Sequence, residues 1–204
     1  MDGRYDYTMG DRGVYFAAFL ESEFNSFDNG YFPSRGFRMR GGVDWTFASS
    51  SRKSFFTSLA PRLSVSGVIP LAERWALQAS FYGRALLFEE APVVQANAMG
   101  GVLEGRYLDQ QMPFYGINNV MAMNKVMTVY ALQLRWNFFN KFHLTGAYNF
   151  AMDSPDMSTF FNGRHIHGAA LALAYEMPVG PLHFDVHWST EMGFGAYIGL
   201  GFHF

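Results

Sequence analysis

Apolar and polar residues alternate along most of this chain. Within residues 36–47, for example, Phe37 and Trp45 fall on one face while Arg38 and Asp44 fall on the other. A period of two is typical of a β-strand with one apolar face. The pattern predicts about nine strands, near residues 14–25, 36–47, 59–69, 75–87, 130–138, 142–150, 171–175, 182–189 and 194–204.

The length of these strands distinguishes between two all-β folds. The segments run to about 10 to 15 residues, whereas strands of soluble domains usually have about 5 to 6. Long strands with an apolar face, aromatic ends and a charged opposite face predict an antiparallel transmembrane β-barrel with a polar lumen. A soluble antiparallel sandwich has the same alternation. Strand length and aromatic content favour the barrel, whose closure removes strand edges that lipid cannot satisfy.

Composition narrows the function classes. The 204 residues are 50% hydrophobic, 18% aromatic and 16% charged, with a net charge of -2 and no cysteine. No window reaches the roughly 18 apolar residues of a transmembrane helix, and no basic block predicts a nucleic-acid partner. Without cysteine there is no thiolate site, and we predict neither a cofactor nor a metal.

The connections between strands predict an orientation. Short turns near 70–73, 140–141 and 178–181 alternate with longer connections near 48–56, 89–124 and 152–162. Bacterial outer-membrane barrels have short periplasmic turns and longer external loops. We therefore expect one barrel domain, residues 1–204, embedded in outer-membrane lipid, with a long external loop at 89–124.

The odd number of strands needs an explanation, because single-chain bacterial barrels usually have an even number. One explanation is that another strand is supplied by residues 2–10 or by part of the long loop. The other is that the chain is the C-terminal portion of a larger barrel, which an upstream domain or further chains complete. The N-terminus shows no basic start followed by an apolar core. Any secretory signal would lie upstream or have been removed, so we expect a mature part or a fragment.

The terminal strand, YIGLGFHF, resembles the assembly signal of outer-membrane barrels. Tyr197 is followed two residues later by Gly199, and Phe202 and Phe204 close the chain at alternate positions. The resemblance implies an apolar edge that the outer-membrane barrel assembly machinery pairs with by β-augmentation.

Residues 28–36, DNGYFPSRG, resemble the DNxxFPTRG turn of the bacterial surface antigen superfamily, the barrels of outer-membrane assembly factors and two-partner secretion transporters. In that superfamily a long external loop folds into the lumen and carries an Arg-Gly-aromatic tip. The 89–124 loop contains Gly100, Gly101, Arg106 and Tyr107, although its glycines precede the arginine. The resemblance implies that Arg106 and Tyr107 form a latch inside the barrel.

The residues of this loop are consistent with that implication. A connection longer than about 12 to 15 residues is usually functional or disordered. The Gly100-Gly101 pair permits a tight reversal, and an Arg106 guanidinium pairs well with an inward carboxylate. The alternative is an external loop with a solvated Arg106.

Within the superfamily, YEMPVGPL at 175–182 and VHWS at 186–189 resemble the C-terminal barrel of outer-membrane patatin-like phospholipases. The resemblance implies the last strands of a barrel of about sixteen, with the catalytic domain upstream. No Gly-x-Ser-x-Gly nucleophile elbow is present, so hydrolase chemistry cannot belong to these residues. The expected function is a membrane anchor or translocation barrel.

Two other functions remain open. His187 and Ser189, two apart on one strand, would serve a self-contained outer-membrane lipid hydrolase, but parity places both with Asp185 on the lumen face, away from lipid. Lumen hydrogen bonding is the simpler interpretation. A small passive porin is the third possibility. His165 and His167 share a face but lack a third metal ligand at suitable spacing.

Charged residues on the predicted lumen face can pair with one another. Such charges must be paired or hydrated. They would form a structural network, line a water-filled conduit or hold the long loop as a latch. Glycines within strands are expected to be bends that help to close a barrel. The charges are Arg38, Arg40, Arg62, Arg84 and Arg135 opposite Glu21, Glu23, Asp44, Glu176 and Asp185, and the glycines include Gly41, Gly42, Gly146 and Gly168.

Overall fold

The computed structural model describes residues 15–49, 57–87, 95–102, 108–118 and 120–200. Almost all of their regular structure is β-strand, with one short 3-10 helix, Met157–Asn162. None of the helical residues described forms a segment long and apolar enough to cross a membrane. The strands are β1 (Tyr15–Asn25), β2 (Gly36–Ser49), β3 (Thr57–Ala72), β4 (Trp75–Ala85), β5 (Ala98–Met99), β6 (Gln111–Met112), β7 (Met121–Ala122), β8 (Val126–Phe139), β9 (Phe142–Ser154), β10 (Arg164–Tyr175), β11 (Leu182–Ser189) and β12 (Gly193–Leu200).

Nine of these strands form one antiparallel sheet in the order β1-β2-β3-β4-β8-β9-β10-β11-β12. Each strand pairs with its neighbour in the chain, and the pairing of β4 with β8 passes over the long loop. This confirms the predicted strand number and the antiparallel arrangement. In the described residues β1 and β12 are the two edges, so the sheet is a partial barrel.

The described residues of the long loop add no strand to this wall. They form a separate three-stranded sheet, in which β5 pairs in parallel with β6 and antiparallel with β7. These residues therefore do not account for the odd strand number. Residues 2–10, the other candidate within the chain, lie outside the described residues.

Side-chain exposure follows the predicted alternation, with polar residues on the inner face and apolar residues on the outer face. On β8 the outward-facing Leu132 is 50% exposed, while the inward-facing Arg135 is only 8% exposed. Tyr130 and Trp136 also face outward, and Ala131 lies on the inner face. An arginine more buried than a leucine on the same strand fits a wall with lipid outside and a polar interior.

Aromatic residues gather at two levels on the outer face. At the short-turn end Trp75 stacks on Trp136 with ring centres 5.5 Å apart, and Phe142 contacts Tyr175 at 4.5 Å. Nearer the loop end, Tyr130 contacts other aromatic rings of the neighbouring strands. Two aromatic girdles flanking an apolar band are typical of outer-membrane barrels.

Candidate functional site

The described part of the long loop is folded against the inner face of the sheet. Phe114 and the methionines of β5 and β6 are almost fully buried. They pack against inward-facing side chains of β8, β9 and β10, so that an apolar plug fills the loop half of the interior. The cluster comprises Met99, Met112, Phe114, Ile117 and Met123 from the loop, and Met127, Val129, Ala151 and Ile166 from the wall.

A chain of polar side chains, all buried except the partly exposed Arg164, fastens the base of this loop to the wall. Arg84 Nη1 on β4 donates to Asn97 Oδ1 at 2.7 Å, and Asn97 Nδ2 donates to the carbonyl oxygen of Asn124 at 2.8 Å. Asn124 Nδ2 donates to Asp153 Oδ2 at 2.8 Å, and Arg164 donates to the same oxygen at 3.0 Å. We call Arg84, Asn97, Asn124, Asp153 and Arg164 the polar clamp.

The tip of the loop reaches across to β10 and β11. Ser189 Oγ donates to the carbonyl oxygen of Gly116 at 2.7 Å, and Gly116 has a φ of 100° that favours glycine. A Cβ on Gly168 would lie 2.6 Å from the Phe114 ring and closer still to the carbonyl oxygen of Tyr115. Gly168 therefore makes room for the loop tip, and the bend expected there stays a prediction.

Two glycines of the loop were expected to reverse the chain. Gly100 and Gly101 have φ values of 138° and 68°, which glycine adopts without strain. Gly101 N donates to the carbonyl oxygen of Ile117 at 2.7 Å. Arg106 and Tyr107 lie outside the described residues, so the latch that they were expected to form stays a prediction.

The turn between β1 and β2 covers the interior from the short-turn end. Phe32 stacks on His143 of β9, with ring centres 4.0 Å apart and planes 11° apart. Arg135 of β8 donates to the carbonyl oxygen of Pro33 and lies 5.8 Å from the Phe32 ring centre. His143 in turn contacts Glu176 at 2.8 Å. The turn that joins β1 and β2 therefore reaches across the interior and contacts β8 and β9.

Asp28 organises this turn. Its Oδ1 accepts hydrogen bonds from the backbone N–H of Ser34 at 2.8 Å and of Arg35 at 3.3 Å, and the Ser34 hydroxyl donates to the same carboxylate. Burial acts to raise the pKa of Asp28, but these hydrogen bonds outweigh it and hold the pKa below its usual value. The acidic residue of the DNGYFPSRG segment therefore has a structural role.

A cavity of about 250 Å³ lies between this turn and the loop tip. Pairing register places Arg135, Thr145, Ala172 and Asp185 in one row across the inner face of β8 to β11. The small side chains of the two middle strands leave space between the arginine and the aspartate. Other polar residues lining the cavity are Ser64, Ser66, Gln78, Gln133 and Asn149.

The inner face of β1 to β4 carries paired charges. Glu21 contacts Arg40 at 2.9 Å and also contacts Arg62. Asp44 lies 3.8 Å from Arg62 and 3.7 Å from Arg84. Each of these arginines thus has a carboxylate partner one or two strands away, as expected for charges removed from water. The same face carries a bond of 2.9 Å between Arg38 and Glu23.

His187 and Ser189 do not form a proton relay in this structure. His187 Nδ1 contacts Asp185 Oδ1 at 2.5 Å, but the Ser189 hydroxyl donates to Gly116 and accepts from the backbone of Met192 at 3.1 Å. All three predicted residues are buried on the inner face. A nucleophile needs a base within hydrogen-bond reach, whereas the Ser189 proton is directed to the loop.

The terminal strand places two of its predicted signal residues on the inner face. Tyr197 lies with its ring centre 5.3 Å from that of His183, and a Cβ on Gly199 would lie 2.5 Å from the same imidazole. Gly199 therefore accommodates a histidine of β11. Phe202 and Phe204 lie outside the described residues, and the role of this strand in assembly stays a prediction.

No group of three potential metal ligands occurs in the part of the chain that the structure describes. Sequence reasoning missed the β1–β2 turn as an inner cover and the polar clamp. The first had a signal, because a Phe-Pro pair in an otherwise polar turn is a candidate for burial. The asparagines at 97 and 124 had none, since they fall in a loop without periodicity.

An exposed apolar outer face, two aromatic girdles and a polar inner face define the chain as an integral outer-membrane β-barrel protein. Residues 3–204 match the family model described as the OMP85 superfamily. The chain belongs to this superfamily and is located in the bacterial outer membrane, which confirms the resemblance at that level.

A solved structure has a similar fold. The chain is similar to BamA from Haemophilus ducreyi, in a crystal structure lacking POTRA domains 1-3, with 20% identity and a TM-score of 0.64. The match covers 91% of this chain and 41% of that one, so the chain spans less than half of the BamA chain. Comparison with curated protein sequences gives no match.

Proposed function

We propose that this chain is the membrane-embedded part of an outer-membrane assembly or translocation protein, which anchors an upstream domain and carries out no chemistry itself. The observation that supports this most directly is the packing of the loop residues Met99, Met112, Phe114 and Ile117 against the inner face. A passive porin keeps an aqueous channel, whereas the loop half of this interior is filled by the chain's own loop. Membership of the OMP85 superfamily supports the same class of function.

We further propose that the upstream domain is a patatin-like phospholipase. The proposal rests on the resemblance of residues 175–182 and 186–189 to such barrels. It is consistent with the lack of a nucleophile elbow in this chain. Hydrolysis would then take place outside the membrane-embedded part.

The experiment uses the protein encoded by the complete gene, with the region upstream of Met1 determined first. A domain with a Gly-x-Ser-x-Gly motif is expected there, and lipid hydrolysis by the purified protein should be lost on mutation of that serine. A Ser189→Ala variant is the matched control and should retain hydrolysis. Loss of hydrolysis in the Ser189→Ala variant alone would favour the self-contained hydrolase.

The anchor and the porin differ in conductance. The wild-type chain, reconstituted in planar bilayers, should give little steady ion current, because the apolar plug and the β1–β2 turn cover the interior from both ends. A large, constant conductance from the wild-type chain would contradict the proposal and favour the porin. Site-specific cross-linking of a passing polypeptide to inward positions such as Gln133 would support translocation.

A further inference from the structure

Two histidines of β10 lie on its outer side near the loop end of the sheet. His165 is exposed and His167 is half-buried, and they alternate with inward residues of the same strand. Towards the short-turn end, the remaining outward positions are apolar until Tyr175 is reached, namely Ala169, Leu171 and Leu173. The two imidazoles therefore lie at the loop end of a row of apolar side chains that faces lipid, which we call the apolar stripe.

The geometry of the strand places this pair at the membrane boundary. His165 and Tyr175 lie ten residues apart on β10. At about 3.3 Å per residue and a tilt of about 40°, they are separated by about 25 Å of membrane height, the height of the apolar band of such barrels. Since Tyr175 belongs to the short-turn girdle, His165 lies level with the headgroups of the opposite leaflet, and His167 about 5 Å deeper.

Neighbouring side chains hold the two imidazoles in place. The Phe150 ring centre lies 5.5 Å from that of His165 and 5.2 Å from that of His167. The Tyr148 hydroxyl lies 2.8 Å from Nδ1 of His167. When this hydroxyl donates to Nδ1, the neutral ring carries its proton on Nε2 and presents it as a donor.

No acidic side chain competes for these donors on the same surface. The outward positions of β9, β10 and β11, all within the described residues 142–189, hold no aspartate or glutamate. At this end of the sheet Asp153 and Glu191 both contact Arg164, at 3.0 and 3.1 Å. The outer surface therefore offers hydrogen-bond donors to an anion without a carboxylate beside them.

We propose that His165 and His167, with Tyr148 orienting the ring of His167, bind the phosphate group of a lipid headgroup in the outer leaflet. The loop end of such barrels faces the cell exterior, so the pair meets the outer leaflet. Imidazole N–H groups are suitable donors to phosphate oxygens, and bonds to an ionised acceptor are stronger than neutral ones. Phe150 and the apolar stripe below contact the acyl region.

The test measures lipid binding by the full chain in phosphatidylcholine vesicles that contain diphosphoryl lipid A. Native mass spectrometry after extraction counts the bound lipid. The wild type should bind diphosphoryl lipid A roughly tenfold more tightly than a His165→Ala/His167→Ala variant does, because alanine has no donor and at least one charge-assisted hydrogen bond is lost. A His165→Lys/His167→Lys variant should restore binding, since lysine also donates to phosphate.

The matched control is His183→Ala, which removes a histidine from the inner face and should leave lipid binding unchanged. Heat-modifiable electrophoretic mobility verifies that each variant is folded. If the alanine variant does not fold, wild-type binding of diphosphoryl and phosphate-free lipid A decides, and equal affinities would overturn the proposal. Equal binding by the wild type and the His165→Ala/His167→Ala variant would overturn it, as would displacement of the lipid by inorganic phosphate alone.

Discussion

The Ser189 hydroxyl donates a hydrogen bond to the carbonyl oxygen of Gly116, 2.7 Å away and 73 residues earlier in the chain. Both residues are buried on the inner face. The bond joins the tip of the loop to β11 and engages the hydroxyl that a hydrolase would need as its nucleophile. A residue that sequence reasoning considered for catalysis is thus part of the contact that keeps the interior filled.

Replacement of Gly168 by valine should displace the loop tip without unfolding the wall. A Cβ at this position would lie closer than van der Waals contact to Phe114 and Tyr115, and backbone atoms cannot give way cheaply. We expect higher ion conductance in planar bilayers and faster proteolysis of the loop, with unchanged β-sheet circular dichroism.

Gly146→Val is the control for this experiment, because a Cβ on Gly146 meets nothing within 4 Å. It should leave conductance and proteolysis at wild-type values. An undisturbed loop in the Gly168→Val variant would show that the tip tolerates a side chain there, contrary to the close packing described.

The sequence predicted the wall well and the interior poorly, for physical reasons. Alternation depends only on which face of a strand meets lipid, so nine strands and the facing of Arg135 and Leu132 followed from a period of two. The inner contacts depend on how the loop folds against the wall, and neither Gly116 of the loop nor Gly168 of β10 differs in pattern from glycines elsewhere. Their roles follow only from backbone segments that approach across the interior.

Two sets of charges on the inner face illustrate the same limit. Asp44 and its arginine partners Arg62 and Arg84 were all predicted on the lumen face, so parity alone suggested their pairing. Asp153 contacts a loop asparagine and Arg164, and nothing in the periodicity indicated that loop contact. Residue type and parity define which groups face inward, whereas partner choice depends on the folded loop.

Replacement of Asn97 by alanine should weaken the polar clamp. The Asn97 side chain is fully buried and contacts Arg84 and two carbonyl oxygens, those of Asn124 and Lys125. Leaving buried groups without partners costs about 1 to 3 kcal/mol. We expect the free energy of unfolding, measured by urea titration in lipid vesicles, to fall by that amount. Asn140→Ala, in the exposed β8–β9 turn, should leave it unchanged, and a similar loss in both variants would argue against the clamp.

The stability of the β1–β2 turn should depend on pH through Asp28. Hydrogen bonds hold the pKa of Asp28 below its usual value of 3.8. The stabilisation is therefore complete above that value and is lost as pH falls through the lower pKa of the folded state. Thermal denaturation followed by circular dichroism from pH 7 to pH 3 should show a larger acid-induced loss in the wild type than in Asp28→Asn. Asp156→Asn, in an exposed turn, should retain the wild-type pH dependence, and identical profiles for the wild type and Asp28→Asn would contradict this role.

Arg106 is predicted to latch the loop to an inward carboxylate, and Asp185 is the candidate partner. Its Oδ1 contacts His187, while its buried Oδ2 has no hydrogen-bond partner among the described residues. Asp185 also lines the small space beside Gly101 and the loop tip.

We expect Arg106→Ala to speed proteolysis of the loop while strand content by circular dichroism stays intact. If the side chains of Arg106 and Asp185 contact each other directly, a double-mutant cycle of Arg106→Ala and Asp185→Asn should give a coupling energy of at least about 0.5 kcal/mol. Leu108→Ala, an exposed change in the same loop, should show no coupling to Asp185→Asn, and strictly additive effects of Arg106→Ala and Asp185→Asn would exclude a direct latch between the two side chains.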